Sequence, residues 1–181
     1  MLSHRYPVLV GNGFYLWSTW GIMTLFLSTF ENKIDKKGRV SVPAAFRAAL
    51  SSESFQGFVA FRSYKFPAIE CCSFSRMQRL SQSVDALDLF SDAQDDLAAT
   101  IFADAQQIPI DGDGRVILPK MLLDYAHLEE QIAFVGRGAT FQIWEPKAFA
   151  LLQAKARASV KEHQVTVKLR NDLSPGGGTR A

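Results

Sequence analysis

Cysteine and histidine are scarce in this chain, and their positions exclude the chemistry they usually carry. The two cysteines, Cys71 and Cys72, are adjacent inside a strand-like run. That spacing suits neither a structural zinc site nor an obvious disulfide, so they read as core or edge thiols of a reducing compartment. The three histidines, His4, His127 and His163, do not cluster, and His127 follows an amphipathic stretch as a helix C-terminal residue. No nucleophile stands beside a base in any arrangement that supports catalysis. The expectation is therefore no enzyme, no cofactor and no metal. Asp111-Gly112-Asp113-Gly114 resembles the opening of a calcium loop, but Leu122 stands near the twelfth place, where such a loop needs a bidentate glutamate. Gly136-Arg137-Gly138 is a turn, because no helix start follows it to cradle a phosphate.

A strong excess of one charge is also lacking. The formal net charge is +2 and the pI about 8.6, too mild to indicate a polyanionic partner by themselves, so the placement of charge matters more than its sum. Lys33, Lys36, Lys37, Arg39 and Arg47 crowd one segment against only Glu31 and Asp35. Asp85 to Asp104 is acidic, and a second basic run, Lys155, Arg157, Lys161, Lys168 and Arg170, lies near the C-terminus.

What the chain does contain is a duplication. Asp35-Lys36-Lys37-Gly38-Arg39-Val40-Ser41-Val42-Pro43 returns as Asp111-Gly112-Asp113-Gly114-Arg115-Val116-Ile117-Leu118-Pro119, at an offset of 111 − 35 = 76 residues. Phe58-Val59 recurs as Phe134-Val135 at the same offset, and Ile69 with Glu70 aligns with Ile143 and Trp144 once two residues are lost in the intervening turn. In the first copy, alternation from Thr29 to Ile34, turn residues from Asp35 to Gly38 and a β-branched run from Arg39 to Val42 predict a hairpin. Proline then closes the strand and opens a short helix, Ala44 to Leu50, and Ile108 to Tyr125 follows the same order. Two further strand pairs are expected, Gly57 to Ser63 with Ala68 to Ser73 and Gln131 to Gly136 with Thr140 to Glu145. A helix ends each unit, Ser75 to Leu89 and Pro146 to His163. At 48% hydrophobic content the whole can bury a core, whereas each half alone is marginal.

A tandem pair of Asp-x-x-Gly-Arg turns, each followed by a hydrophobic strand, a proline and a short helix, resembles the MraZ family of bacterial regulators, over about residues 24 to 150. The resemblance implies an α+β fold: tandem AbrB-like swapped β-hairpin domains forming a pseudo-two-fold β core with flanking short helices. It places the first domain at 29–76, a helical acidic connector at 77–104, the second domain at 105–148 and a C-terminal helix with a disordered tail at 149–181. It also implies a cytoplasmic, nucleoid-associated transcription factor, usually a repressor of its own division and cell-wall operon. Such a protein assembles into a ring-shaped homo-oligomer and binds short G-rich direct repeats of double-stranded DNA. Carried over by position, the family's aspartate and arginine are Asp35 and Arg39, and Asp111 and Arg115.

The chemistry of these residues agrees. A guanidinium fork on a β-ribbon can bond phosphate or, bidentately, guanine O6 and N7 in the major groove. Lys33, Lys36 and Lys37 suit phosphate contacts. The same Asp35–Arg39 pair also reads as a simple cross-strand ion pair that stabilises a hairpin, and the hairpins equally as a scaffold that binds protein partners without DNA specificity. The second turn replaces Lys36-Lys37 by Gly112-Asp113, so the first is expected to dominate the DNA contact.

Tyr6 to Phe30 carries no charge and superficially resembles a leader or anchor. Once Thr24 to Ile34 is given to the first strand, about 15 residues remain, too few to span ~30 Å of hydrocarbon. No membrane partner is therefore expected. MraZ-like chains carry only about a dozen residues before the first motif aspartate, so the resemblance implies that residues 1–22 lie upstream of a true start at Met23.

Overall fold

The computed structural model describes residues 25–88 and 91–167, together with the backbone of residues 8–10 and 14–16. Leu89, Lys168, Arg170, the start expected at Met23 and the tail at Ser174 to Gly178 fall outside these, and the helix expected to run to Leu89 ends at Asp85, with Ala86 as its C-cap. A short antiparallel pair, β1 (Val8–Val10) and β2 (Phe14–Leu16), comes first.

The first copy then supplies β3 (Thr29–Lys33), β4 (Arg39–Ser41), α1 (Ala44–Leu50), β5 (Gly57–Arg62) and β6 (Ile69–Cys72). Helices α2 (Phe74–Asp85) and α3 (Asp92–Leu97), with a π turn at Ala98–Phe102, form the connector. The second copy repeats the order as β7 (Gln106–Pro109), β8 (Arg115–Ile117), α4 (Lys120–Tyr125), β9 (Gln131–Gly136) and β10 (Phe141–Trp144). The described residues 147–167 belong to a separate unit, which holds most of helix α5 (Pro146–Glu162). Among the described residues no helix is long and apolar enough to cross a membrane.

The two copies interleave. One antiparallel sheet has the order β3-β9-β10-β6-β5-β7, and β4 pairs with β8 in a ribbon of its own. The local hairpin expected from Thr29 to Val42 is thus corrected. Its turn forms, with the Asp35 N–H donating to Arg39 O at 3.0 Å and the Gly38 N–H to Asp35 O at 2.9 Å. Beyond the turn its strands part: β3 runs along β9 and β4 along β8, each in the other copy. The strands β5–β6 and β9–β10 do pair within their copies, as expected.

Backbone pairing also corrects the alignment of the copies. Ile34 donates to Glu130 O and Ile110 donates to Gln56 O, so Gln56 and Glu130 are equivalent at 130 − 56 = 74. The offset of 76 holds through α4, falls to 74 at β9 and to 141 − 69 = 72 at β10. Two residues are lost before β9 and two more in the β9–β10 turn. The match of Phe58-Val59 with Phe134-Val135 is a coincidence of composition.

In the corrected alignment, equivalent residues face each other at two points. Val40 pairs with Val116 in the ribbon, and Glu70 pairs with Gln142 in the sheet. A pseudo-two-fold relation therefore passes through both. At the second point Ser63 Oγ and Gln142 Nε2 both donate to Glu70 Oε1, while Arg137 Nη1 and Trp144 Nε1 donate to Gln142 Oε1, each at 2.8 Å. This satisfies an amide that is almost wholly buried.

The core lies between the large sheet on one side and the ribbon and α1 on the other. Phe46 of α1 meets Phe26 at 5.2 Å, Phe30 at 5.5 Å and Phe141 at 5.1 Å between ring centroids. Each fully buried aromatic contributes roughly 1.5–3 kcal/mol from area removed from water. Val40, Val42, Val116 and Leu118 close the same cluster from the ribbon. The other face of the sheet is covered near β5 and β6 by Met77, Leu80, Ile101 and Phe102, which pack on Val59 and Cys72. Cys71 and Cys72 are therefore core thiols on an internal strand, not an edge. Burial pushes both thiols up, Cys72 to about 12.

Candidate nucleic-acid interface

The site begins with the two glycine turns. Gly38 has φ of +75° and Gly114 of +76°, the left-handed region that favours glycine. In each turn the motif aspartate caps the backbone. Asp35 Oδ1 accepts the N–H of Lys37 and of Arg39, both at 2.9 Å, and Asp111 Oδ1 accepts those of Asp113 at 3.0 Å and Arg115 at 2.8 Å. The aspartate at this spacing is thus first a turn former.

The copies diverge at the arginine. Asp35 Oδ2 takes the Arg39 Nε–H at 2.7 Å, which leaves both Nη groups to bond elsewhere. The Arg39 backbone N–H first, and its guanidinium second, hold the Asp35 carboxyl below the usual aspartate range. Arg115 turns instead to Asp113, Nη1 to Oδ2 at 3.5 Å. The acidic residue that replaces Lys37 in the second turn therefore also partly neutralises its arginine.

Both arginines belong to one surface. Val40 and Val116 point into the core, so by the two-residue period of a strand their neighbours point away from it. Register sets Arg39 opposite Ile117 and Ser41 opposite Arg115. These four residues tile the exposed face of a two-stranded ribbon, with the arginines on its diagonal. Lys33, Lys36 and Lys37 are exposed at the Arg39 end, whereas Asp111, Gly112 and Asp113 are exposed at the Arg115 end.

Sequence reasoning placed Arg47 with the first turn, and the structure moves it. Its guanidinium lies 2.8 Å from where a Cβ would stand on Gly114, and its Nη1 donates to Val42 O at 2.6 Å. The equivalent Leu123 lies beneath Gly38. Each short helix supports the turn of the other copy. Between Arg47 and the second turn is a cavity of about 260 Å³, also lined by Leu50, Ser51, Gln56, Ile110 and Asp111.

The polar side of the Arg39–Val42 run faces outward as its pattern suggests, with Ser41 exposed, whereas the sequence did not single out Ile117. Alternation around Val40 and Val116 was the available signal, but their pairing runs between copies and cannot be read from either one. His127, by contrast, sits where expected, just after α4 with φ of +53°, and its neighbour Leu128 donates to Leu123 O at 2.9 Å. Among the described residues no group of His, Cys, Asp or Glu is placed to hold a metal ion.

Against this geometry, known proteins give a consistent result. The family model described as "MraZ protein, putative antitoxin-like" matches residues 25–64 and 101–171. This chain belongs to the MraZ family. A protein named transcriptional regulator MraZ from Rickettsia bellii (strain OSU 85-389) is 43% identical over 150 residues, 82% of this chain and all of that protein. Those of the same name from Rickettsia akari (strain Hartford) and Pelagibacter ubique (strain HTCC1062) are each 42% identical, over 82% and 85% of this chain. The α+β architecture, with its mostly antiparallel sheet and short helices, is consistent with the AbrB-like fold of that family.

Proposed function

We propose that this chain is a DNA-binding transcriptional regulator that lays its β4–β8 ribbon in the major groove. Membership of the family, and relatives named transcriptional regulators, support the coarse reading. The observation that carries the finer one is the placement of Arg39 and Arg115 together on the exposed face of a two-stranded ribbon. The major groove admits such a ribbon, and a guanidinium bonds guanine O6 and N7 bidentately. Asp35 fixes the Arg39 fork by its Nε edge, and Asp111 shapes the second turn. Lys33, Lys36 and Lys37 meet phosphates beside the groove.

On this reading the target is short G-rich direct repeats upstream of its own division and cell-wall operon, which the chain represses. Self-association into a ring presents several ribbons to successive repeats and multiplies their affinity. Retardation of DNA from upstream of its own gene, against scrambled DNA of equal length, tests the proposal. Equal retardation of both would remove sequence reading and favour a scaffold role.

A further inference from the structure

The period of β8 turns position 117 outward, and the residue that stands there is apolar, Ile117. It is 63% exposed, on a strand whose alternate residues Val116 and Leu118 are almost fully buried. A lone exposed isoleucine carries nothing by itself. Its surroundings are what matter: Arg39 stands directly opposite across the ladder, and Arg115 is two residues before it on the same face. An aliphatic side chain flanked by two cations neither extends a docking patch nor completes a core.

The groove of DNA offers what this combination fits. Guanine presents O6 and N7 to arginine, and thymine presents its C5-methyl group to an apolar side chain. Directly opposed residues in an antiparallel pair have Cβ atoms ~4.5–5.5 Å apart, more than the ~3.4 Å rise between neighbouring base pairs by a margin that the long arginine side chain can span. Arg39 and Ile117 can therefore read a guanine and an adjacent thymine together.

We propose that Ile117 is a specificity-determining residue that packs on a thymine methyl beside the guanine read by Arg39. This rests on the reading of the β4–β8 ribbon as the DNA contact. The position equivalent to Ile117 in the first copy is Ser41, which can bond a base edge but offers no comparable apolar surface. The ribbon is two-fold in backbone and unequal in side chains. With cationic Lys36-Lys37 at one turn and Gly112-Asp113 at the other, it has a direction on the duplex.

The test compares the fragment upstream of its own gene, amplified with either thymidine or deoxyuridine triphosphate, which differ in the methyl alone. The wild-type chain should prefer the thymine fragment by about fourfold for each ribbon engaged, the effect of one buried methyl. Ile117→Ala should weaken binding to the thymine fragment and abolish the preference, and Ile117→Val should restore it. Equal wild-type affinity for the two fragments, or a preference that survives Ile117→Ala, overturns the role of Ile117 while leaving DNA recognition intact. A changed mass of the Ile117→Ala assembly by light scattering, with the preference retained, would make Ile117 a contact between copies. Failure of the wild type to prefer the upstream fragment over scrambled DNA removes the DNA reading itself, and this inference with it.

Discussion

Val40 and Val116 pair with each other at the centre of the β4–β8 ladder, and they are the same position of the two copies. Every residue placed at equal distance from that pair on the two strands is therefore a matched comparison. Arg39 corresponds to Arg115 and Ser41 to Ile117, so differences in side chain alone separate the two halves of the ribbon.

If Arg39 reads a base edge, Arg39→Lys keeps the charge but loses the fork. Discrimination between the cognate repeat and scrambled DNA should fall by ~1–3 kcal/mol per contacted base, with non-specific binding nearly intact. Asp35→Ala should give a milder loss. Arg115→Lys should give the smallest, because Asp113 already engages that guanidinium. Competition binding measures all three, and an unchanged ratio for Arg39→Lys would confine Arg39 to phosphate or to its own turn.

The lysines should act on affinity without sequence. Removing one lysine–phosphate interaction flattens the dependence of log binding constant on log salt by about 0.9. Lys37→Ala is expected to do so for each subunit bound, whereas Asp113→Lys should steepen the dependence by placing a cation at the equivalent point. Slopes unaffected by changes at Lys33, Lys36 and Lys37 would favour the scaffold reading.

Protonation of Asp35 links the turn to pH. Its carboxyl is held below the usual aspartate range, so the stabilisation is present above the unfolded aspartate value, about 3.9, and is lost as pH falls through the folded value. Carboxyl carbon NMR should show a midpoint lower than in the unfolded chain. Arg39→Ala removes the guanidinium but keeps the backbone bond that contributes most, so the midpoint should rise only part of the way. No rise at all would mean that the Nε–Oδ2 contact does not persist in solution.

Phe46 joins α1 to both copies through Phe26, Phe30, Phe134 and Phe141. Phe46→Ala should cost ~3–5 kcal/mol in urea unfolding. A loss below about 1 kcal/mol would show that the cluster closes over the gap.

The turns, the proline junctions and most element boundaries were legible because local chemistry decides them. A glycine with positive φ and an aspartate that caps two N–H groups act within five residues. The strand partners were not legible locally. The run from Thr29 to Val42 satisfies every rule for a hairpin, yet β3 finds its partner in β9, about a hundred residues away, because the apolar side of both strands is buried only in the joint core. The position of Arg47 and the exposed pairing of Arg39 with Ile117 follow from that exchange. The swapped arrangement itself was reached through the resemblance, which the duplicated motif carried.

Interleaving makes a strong prediction about a fragment that holds the first copy alone, residues 25–104. In the whole chain β3, β4, β6 and the outer edge of β5 all pair with strands of the second copy. A lone first copy therefore leaves four strand edges open, and it should not fold as a monomer. Two such fragments could exchange strands as the copies do. The ribbon would tolerate this, since Val40 would meet a second Val40 where Val116 now stands. The sheet would not, because Glu70 would face a second Glu70 in place of Gln142, and like charges directly opposed destabilise a ladder. The fragment should consequently be a weak dimer, and Glu70→Gln should tighten it several-fold by recreating the pair found in the whole chain. Sedimentation equilibrium with circular dichroism decides the matter: a folded monomer, or a dimer indifferent to Glu70→Gln, would show that the copies are separable and that the Glu70–Gln142 pair does not direct their assembly.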